Sequence, residues 1–281
     1  MSLQIDDIGP WSEVKLEILK KYAAAYSTIL TAQNRFAHAY IDAFAGPGVH
    51  IGRTSGEYVP GSPLNALLVQ PPFKEFHLID LDPRQIENLR QLIGHRPDVL
   101  LYNRDCNRVL TEEIFPRFTF NSFRRALCLL DPYGLSLEWS TVEMAGKLGT
   151  IEVFINFPIM DINRNLKRQR VDQVTPENLR RMDAFWGDRS WHEVMYQPSS
   201  QTEMDLGLGG SGKEKQTNEV LAEAYRLRLQ RNACFAHVPT PIPMRNSKGN
   251  TVYYLYFATP KPTANKIVSE IFAKYRDYIP R

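Results

Sequence analysis

Three apolar segments of this sequence end in polar residues that could bind a nucleoside. Residues 42–48, DAFAGPG, carry two glycines that let a ligand approach the backbone closely, because no Cβ stands in the way. Asp80 ends the segment FHLID, where a carboxylate can accept hydrogen bonds from two vicinal ribose hydroxyls. Asp105 follows the segment VLLYN, and its carboxylate can accept from the exocyclic amine of a purine. Together these residues predict a site for a nucleoside-bearing cofactor.

A fourth apolar segment ends in the tetrapeptide DPYG, residues 131–134. The Asp131 carboxylate and the Pro132 carbonyl could both accept hydrogen bonds from an amine, while the ring of Tyr133 stacks on a planar base. The tetrapeptide therefore predicts a second, acceptor-binding part of the site. The alternative is a turn without a chemical role, since Asp-Pro is common in turns.

Hydrophobic spacing indicates the elements that must position these residues. A long helix is predicted over residues 11–36, with Ser12 as its N-cap. Short apolar runs bounded by turn residues predict five strands, and helical patterns lie between them. The strands are predicted at residues 40–44, 76–80, 99–103, 126–130 and 152–157, and the intervening helices at residues 64–69, 84–93, 108–114 and 142–148.

The alternation of strands and helices predicts a parallel sheet with right-handed crossovers. In such a sheet, ligands bind beyond the carboxyl ends of the strands. The polar residues at the predicted strand ends are therefore expected to converge at one edge of the sheet.

The pattern changes after the fifth strand. Residues 160–215 are predicted to be an insertion, made of polar helical segments and a Gly/Ser-rich flexible loop. A helix is predicted over residues 218–231, and apolar segments on either side of a turn at residues 246–250 indicate an antiparallel hairpin. A last helix is predicted over residues 264–275. We expect one α/β domain over residues 1–281, with a mostly parallel sheet that ends in this hairpin.

The glycine spacing and the hairpin help to choose the cofactor. Gly46, Gly48 and Gly52 give G-x-G-x-x-x-G, a poor match to the G-x-G-x-x-G of dinucleotide-binding folds. S-adenosylmethionine has no phosphate, so it needs no helix amides aimed at a pyrophosphate. An antiparallel hairpin on a parallel sheet also favours methyltransferase topology. S-adenosylmethionine is therefore the predicted cofactor, and a nicotinamide dehydrogenase is the more distant alternative.

Several segments resemble those of known families. YIDAFAGPG resembles motif I of class I S-adenosylmethionine-dependent methyltransferases, LIDLDP resembles their ribose-binding second strand, and DPYG resembles their motif IV. Together with WSEVKLEILKKY, the GSP at residues 61–63 and the late strand YYLYFAT, they resemble the three-Cys-motif partner family, TcmP. The resemblance implies a Rossmann-like class I methyltransferase fold with a helical insertion. It also implies a companion protein that carries a three-cysteine motif of radical-SAM character.

The resemblance implies roles for single residues as well. Residues 50–63 lengthen the usual distance between the glycine turn and the ribose-binding acid, and we expect them to fold over the cofactor, with Ser62 as the cap of the next helix. Asp82 is expected to cap a helix in its own right. The residues implied are Asp42, Phe44, Gly46 and Gly48 for the methionine end of the cofactor, Asp80 for the ribose with Asp82 as second choice, and Asp105 for the adenine.

The tetrapeptide DPYG is closer to the DPFG of some tRNA guanine-N2 methyltransferases than to D-P-P-Y, so the predicted acceptor is an amine of a nucleic-acid base. Asp131, Pro132 and Tyr133 would orient this amine, and positioning supplies most of the catalysis because attack on a sulfonium methyl needs chiefly an aligned lone pair. Basic residues between Arg164 and Arg181 could contact phosphates, although a solvated helix face is the simpler explanation. Three aromatic residues of the insertion could stack on bases or merely pack: Phe185, Trp186 and Trp191.

A second function, of another class, is a non-catalytic methyltransferase-like module that acts with the three-cysteine-motif protein. It would keep the fold, and with it the cofactor pocket, but transfer no methyl group. Labelled methyl transfer to nucleic acid or to the companion protein distinguishes the two functions.

The composition excludes several other classes of protein. The 281 residues carry a formal net charge of +3, too little for a histone-like nucleic-acid coat. Cys106, Cys128 and Cys234 are too widely spaced for a disulfide framework or a metal site, so we expect three buried thiols. Lys15 is expected to lie on the surface of the first helix, with its stem over apolar neighbours, and a contact with the cofactor is the alternative. No apolar run is long enough for a membrane span and the first residues lack signal-peptide features, which predicts a cytoplasmic protein.

Overall fold

The computed structural model describes residues 6–166, 171–198, 213–215 and 218–278. Its strands in these ranges are β1 (Asp6–Ile8), β2 (Ala37–Asp42), β3 (Val49–Gly52), β4 (Tyr58–Pro60), β5 (Glu75–Asp80), β6 (Val99–Asn103), β7 (Arg124–Leu130), β8 (Ile151–Phe157), β9 (Tyr196–Pro198), β10 (Lys213–Lys215), β11 (Ile242–Arg245) and β12 (Thr251–Ala258). Its α-helices in the same ranges are α1 (Pro10–Ala32), α2 (Ser62–Leu67), α3 (Pro83–Ile93), α4 (Cys106–Arg108), α5 (Trp139–Leu148), α6 (Ile159–Leu166), α7 (Pro176–Trp186), α8 (Trp191–Met195), α9 (Asn218–Arg231) and α10 (Pro262–Tyr275).

Seven of the described strands form the main sheet, in the order β11-β12-β8-β7-β2-β5-β6. Strands β6, β5, β2, β7 and β8 run parallel, whereas β12 runs antiparallel to β8 and β11 runs antiparallel to β12. The predicted mostly parallel sheet with a terminal antiparallel hairpin is therefore confirmed. Strand β2 lies between β5 and β7, at the point where the order of the strands reverses, and α/β sheets bind ligands at such a point.

Helices cover both faces of the main sheet, because successive residues of a strand point to opposite faces. In β2, Tyr40 joins Ile18 of α1 in one hydrophobic core, while the next residue, Ile41, joins Val142 of α5 in the other. All four side chains are at most 2% exposed, and burying each contributes about 1.5 to 3 kcal/mol. The two cores hold the strand ends, and thus the polar residues on them, in fixed positions.

Two predicted helix caps are wrong. Helix α1 begins at Pro10 after Gly9, and Ser12 lies inside its first turn. Helix α2 begins at Ser62 itself, after Gly61. A proline occupies one of the first two positions of each helix, where its missing N–H leaves no hydrogen bond unmade. Gly61 is required there, since a Cβ on it would lie 2.9 Å from the carbonyl oxygen of Gly48.

A separate three-stranded sheet stands beside the glycine turn. Strand β1 runs parallel to β3, with Asp6 opposite His50, and β3 and β4 form an antiparallel hairpin. Apart from Val49, this hairpin lies within residues 50–63, the segment that lengthens the distance between the glycine turn and Asp80. The extra segment is therefore an ordered hairpin held by the N-terminal strand.

The insertion after β8 packs against the main core through its aromatic residues. Phe185, Trp186 and Trp191 are each at most 2% exposed. These rings are buried, so the suggestion that they stack on nucleic-acid bases is wrong, and packing is their role. The predicted flexible loop falls mainly on residues 199–212, which lie outside the described residues.

Cys106 and Cys128 are buried as predicted, but Cys234 is exposed, so the prediction of three buried thiols is wrong at that position. Cys234 follows the end of α9 in a left-handed conformation, with φ of 65°, between the buried residues Ala233 and Phe235. In the described part of the chain, no group of three His, Cys, Asp or Glu side chains could hold a metal ion. None of the described helices combines the length and the apolar character that crossing a membrane requires.

Candidate cofactor and acceptor site

A cavity of about 620 Å³ opens where β2, β7 and β8 end. It lies at the carboxyl edge of the main sheet, between the glycine turn, the DPYG tetrapeptide and the start of α1. Its volume is within the roughly 300 to 1,000 Å³ typical of small-molecule sites. The lining residues that could contact a ligand through polar atoms or an open backbone include Lys15, Gly46, His50, Ser62, Asp131 and Asn156. Phe44, Pro132 and Tyr133 also line it.

The glycine turn leaves its backbone open to this cavity. Gly46 and Gly48 have φ of 62° and 84°, in the left-handed region that favours glycine. A Cβ on Gly46 would meet no heavy atom within 4 Å, so a ligand can approach the backbone there. A Cβ on Gly48 would lie 2.8 Å from Cδ2 of Leu89, so Gly48 instead allows close packing on α3.

Asp80 braces the glycine turn. Its Oδ2 accepts a hydrogen bond from the Gly46 amide at 2.9 Å, and its Oδ1 accepts from the Asp82 amide at 2.9 Å. The side chain is 9% exposed, and burial raises its pKa above the ordinary value for aspartate. Asp80 does not line the large cavity. Its predicted contact with a ribose would use the lone pairs that the two backbone amides leave free.

Asp82 and Asp105 both cap helices. Asp82 accepts a hydrogen bond from the Arg84 amide at 2.9 Å, as expected for the N-cap of α3. Asp105, which is exposed, accepts from the Arg108 amide at 3.0 Å and caps α4. The sequence analysis gave Asp105 only a role in binding adenine, so this cap was missed. Neither residue lines the large cavity.

Asp42 lies beneath the glycine turn and is completely buried. It accepts hydrogen bonds from the Phe44 amide at 3.3 Å, from the Tyr40 hydroxyl at 3.2 Å and from the Ser62 hydroxyl. Burial raises its pKa to about 6, and the negative charge of Asp131 acts in the same direction. Because Asp42 does not reach the cavity wall, its observed role is to hold the turn in place.

Lys15 forms a buried ion pair with Asp131 in the cavity wall. Lys15 is 8% exposed, so its predicted place on the helix surface is wrong. Burial by itself lowers the pKa of the ammonium group, but the charge of Asp131, the hydrogen bond to it and the nearby Tyr253 and Asp42 together outweigh burial, so the pKa lies above its ordinary value. The ion pair joins residues 116 positions apart, which helical spacing alone does not predict.

Asn156 binds the other oxygen of Asp131. Its Nδ2 donates a hydrogen bond to Asp131 Oδ1, and its own Oδ1 is buried without a hydrogen-bond partner among the described residues. The sequence analysis missed Asn156. The sequence feature that could have indicated Asn156 is an amide side chain near the end of a strand whose other positions are almost all apolar.

His50 also lines this cavity, and its Nδ1 is a second buried atom without a hydrogen-bond partner in the described part of the chain. Burial lowers the pKa of its imidazole, and the positive charge of Lys15 lowers it further. The ring is therefore neutral near pH 7. Together with Asn156 Oδ1 and the open backbone at Gly46, this atom leaves hydrogen-bonding capacity that a bound cofactor and acceptor would use, so the cavity fits S-adenosylmethionine.

The DPYG tetrapeptide stands at the entrance of the cavity. Tyr133 is 72% exposed, whereas Pro132 is buried. The next residue, Gly134, has φ of 59°, and a Cβ on it would lie 2.8 Å from Oδ2 of Asp161 in α6 and 3.1 Å from Nη2 of Arg181 in α7. Arg181 of the basic insertion thus lies beside the tetrapeptide, and Arg164 in α6 is exposed.

Comparisons with solved structures reveal similar folds. Protein LPL1258 from Legionella pneumophila, of family DUF519, is similar with a TM-score of 0.50 and 12% sequence identity over 93% of this chain and 92% of that chain. The N-methyltransferase NodS from Bradyrhizobium japonicum, in complex with S-adenosyl-L-homocysteine, is similar with a TM-score of 0.42 and 10% identity over 90% and 89% of the two chains. A SAM-dependent methyltransferase from Leishmania major is similar with a TM-score of 0.39 and 10% sequence identity over 88% of this chain and 72% of that chain. No family model and no curated protein matches this sequence.

These identities are low, so the likenesses concern the fold alone. The order of the main sheet, its antiparallel final hairpin and the glycine turn after its central strand define a Rossmann-like class I methyltransferase fold. This class of fold is what the motif spacing of the sequence predicted.

Proposed function

We propose that this protein is an S-adenosylmethionine-dependent methyltransferase that acts on an amine of a nucleic-acid base. The observation that carries the proposal is the arrangement of Asp131 and Asn156. Both residues line one cavity that the open glycine turn at Gly46 also lines, and Asn156 donates a hydrogen bond to Asp131. Hydrogen-bond acceptors beside a cofactor turn suit an acceptor group that donates hydrogen bonds, as an amine does.

The residues of this chain would act mainly by positioning. Asp131 and the free Oδ1 of Asn156 accept hydrogen bonds from the two N–H groups of the amine, and this points the nitrogen lone pair away from them. Lys15 pairs with Asp131 and fixes its orientation. S-adenosylmethionine supplies a sulfonium methyl group, whose S–C bond breaks as the N–C bond forms. The proton released from the amine passes to solvent or to neutral His50.

A nucleic-acid base as the acceptor is supported by the entrance of the cavity. The exposed ring of Tyr133 provides a stacking surface for an unstacked base. Arg181 beside Gly134 and the exposed Arg164 provide positive charge for phosphates on the same side. The net charge of +3 agrees with a local contact rather than an extended basic surface.

A module that acts with a three-cysteine-motif companion is the alternative, and its support is the resemblance of the sequence motifs to the TcmP family. The protein would then bind the cofactor or its companion without transferring a methyl group. Transfer of a labelled methyl group to tRNA, DNA or the companion protein decides between the two functions.

Binding of S-adenosylhomocysteine, measured by titration calorimetry, tests the cofactor site. We expect Asp80→Ala to weaken binding by about 10- to 100-fold, because a charged acceptor and the brace of the glycine turn are both lost. Asp98→Ala is the matched control, since this carboxylate pairs with Arg96 and does not line the cavity, so its loss should change affinity little. Absence of binding to the unaltered protein would refute the proposed function.

Asp131→Asn tests the acceptor site. The amide keeps the shape of the side chain, and its Oδ1 can still accept from Lys15, but its Nδ2 cannot accept from Asn156, so the charge and one acceptor are lost. We expect methyl transfer to fall by at least about 100-fold, roughly 2.7 kcal/mol, while affinity for S-adenosylhomocysteine stays within a factor of about three. Equal losses of transfer and cofactor binding would show that Asp131 does not act on the acceptor.

A further inference from the structure

A second cavity lies at the opposite edge of the main sheet. It has a volume of about 260 Å³ and is bounded by Arg125 near the start of β7, Glu152 near the start of β8, the second half of α1 and the start of α10. Asp131 follows the carboxyl end of β7, about 20 Å from Arg125 at 3.3 Å per residue. The two cavities share no lining residue. The second cavity is therefore separate from the candidate methyltransferase site.

Arg125 brings a buried positive charge to this cavity without a carboxylate to balance it. Arg125 is 8% exposed, and among the ion pairs of the described residues none includes it. Its Nη1 donates to the carbonyl of Arg124 at 2.7 Å, and its guanidinium lies over the rings of Phe36 and Phe120 at 4.4 and 5.4 Å. A buried charge is costly unless it is paired, so an anion bound here would offset that cost.

The other charged residues of this cavity add positive charge. Arg35 and Lys261 line it, and both are exposed at its entrance. Glu152 is the one acidic residue among the lining residues in the described ranges. Burial raises the pKa of Glu152 to about 7, so it carries at most about half a negative charge at neutral pH. Its oxygens already accept from the hydroxyls of Tyr22 and Thr259.

Tyr26 offers a free hydrogen bond to a ligand. Tyr26 lines the cavity and is 6% exposed, and its hydroxyl is buried without a hydrogen-bond partner among the described residues. The phenol interacts electrostatically with both Glu152 and Arg125, so it lies near the unpaired guanidinium. A buried hydroxyl without a partner is destabilising, and a ligand oxygen beside Arg125 would satisfy it.

The remaining walls are apolar. Ile29, Leu30 and Phe36 face Ile267 of α10 across the cavity. The volume is below the range typical of drug-sized ligands, so the occupant is small. The walls would hold its apolar body while Arg125 and Tyr26 bind its charged end.

We propose that this cavity binds a small carboxylate with an apolar body, held by the Arg125 guanidinium and the Tyr26 hydroxyl. The proposal is independent of the function assigned to the first cavity. Because α1 contributes Lys15 to the first cavity and Tyr26 to the second, occupancy of the second would also brace the helix that holds Asp131.

Ligand-observed and protein-observed NMR on the full chain at pH 6.5 test the proposal with three probes of similar shape. Benzoate, benzyl alcohol and benzylamine carry a negative, a neutral and a positive group on the same ring. We expect benzoate to bind at least about tenfold more tightly than benzyl alcohol, and benzylamine not to bind. Shifted amides should map to residues around Arg125, Tyr26 and Ile267.

Four variants locate the binding. Tyr26→Phe should weaken benzoate binding by about three- to tenfold, the effect of one hydrogen bond. Arg125→Gln should abolish the preference for benzoate over benzyl alcohol. Ile267→Trp, which fills the cavity without changing charge, should abolish binding, and circular dichroism establishes that each variant is folded. Lys266→Gln, an exposed charge on the same helix outside the lining, is the matched control and should leave binding unchanged.

Several results would overturn the proposal. One is the absence of benzoate binding at concentrations up to about 10 mM. Equal binding of the three probes would show that charge is not recognised. Two further results would place the ligand outside this cavity. One is benzoate binding that persists in the folded Ile267→Trp variant, and the other is a set of amide shifts confined to the carboxyl edge of the sheet.

Discussion

At the scale of single residues, the ion pair between Lys15 and Asp131 is the central contact of the candidate site. Both side chains are largely withdrawn from water, with side-chain exposures of 10% and 23%. Removing one partner from such a pair leaves the other charge without compensation, which costs more than the pair itself contributes. The pair is therefore expected to matter for stability as well as for orienting Asp131.

Lys15→Met should lower the free energy of unfolding by about 1 to 3 kcal/mol, less than for a fully buried pair because Asp131 faces the cavity. Urea denaturation measures this change. Lys21→Met, which breaks an exposed pair with Glu17 on the same helix, should cost clearly less. Equal effects of the two substitutions would contradict the importance given to the buried pair.

Glu152 should make stability depend on pH. Burial raises its pKa from 4.5 to about 7, so the folded state holds the proton more tightly than the unfolded state. The resulting stabilisation is fully present below about pH 4.5 and is lost as the pH rises through about 7, at a total cost of about 1 to 3 kcal/mol.

Glu152→Gln should remove this dependence, because an amide cannot ionise. The free energy of unfolding of the variant, relative to that of the unaltered protein, should therefore be higher at pH 8 than at pH 5. Urea denaturation at both pH values measures this difference. Glu270→Gln, on the exposed side of α10, is the control and should leave the pH profile unchanged. A Glu152→Gln difference that is the same at both pH values would show that Glu152 titrates normally.

At the scale of elements, the glycine turn uses its two glycines for different purposes. A Cβ on Gly46 would project into open space, whereas a Cβ on Gly48 would press on Leu89 and Leu92 of α3, at 2.8 and 3.3 Å. Both positions have positive φ, so alanine costs about 1 to 2 kcal/mol at either one. The overlap with α3 is an additional cost at Gly48 alone.

Gly48→Ala should therefore lose more stability than Gly46→Ala in urea denaturation. Affinity for S-adenosylhomocysteine should show the reverse order, since only Gly46 lines the cavity. Each variant is the control for the other. If Gly48→Ala weakened cofactor binding more than Gly46→Ala without a larger loss of stability, the assignment of the two glycines would be wrong.

At the scale of the whole molecule, charge is nearly balanced, with 34 basic and 31 acidic residues. Affinity for nucleic acid would then depend on the few cations near the site, and it should fall as salt rises. Arg181→Gln should reduce the slope of log affinity against log salt concentration by about one, as measured with fluorescent tRNA. Lys266→Gln on α10 should leave the slope unchanged, and equal effects of the two substitutions would place binding away from the acceptor site.

The sequence predicted the fold well because its signals are local. Apolar runs ended by turn residues indicated the five parallel strands, and the hairpin around residues 246–250 indicated the antiparallel end of the sheet. The predicted caps failed at Ser12 and Ser62, because in each case a preceding glycine and a neighbouring proline had already set the start of the helix. The aromatic residues of the insertion were open to two interpretations, since burial depends on which face meets the core.

By itself, the sequence determined the order of the elements, the glycine turn and the strand ends on which the candidate residues stand, since these follow from short-range periodicity and backbone preference. Only the tertiary structure decided that Lys15 turns inward to Asp131, that Asn156 lines the same cavity and donates to Asp131, and that Asp80 braces the turn. It also decided that Arg125, Tyr26 and Glu152 enclose a second cavity. These contacts join residues far apart in the chain, and their geometry is set by the packing of whole helices on the sheet.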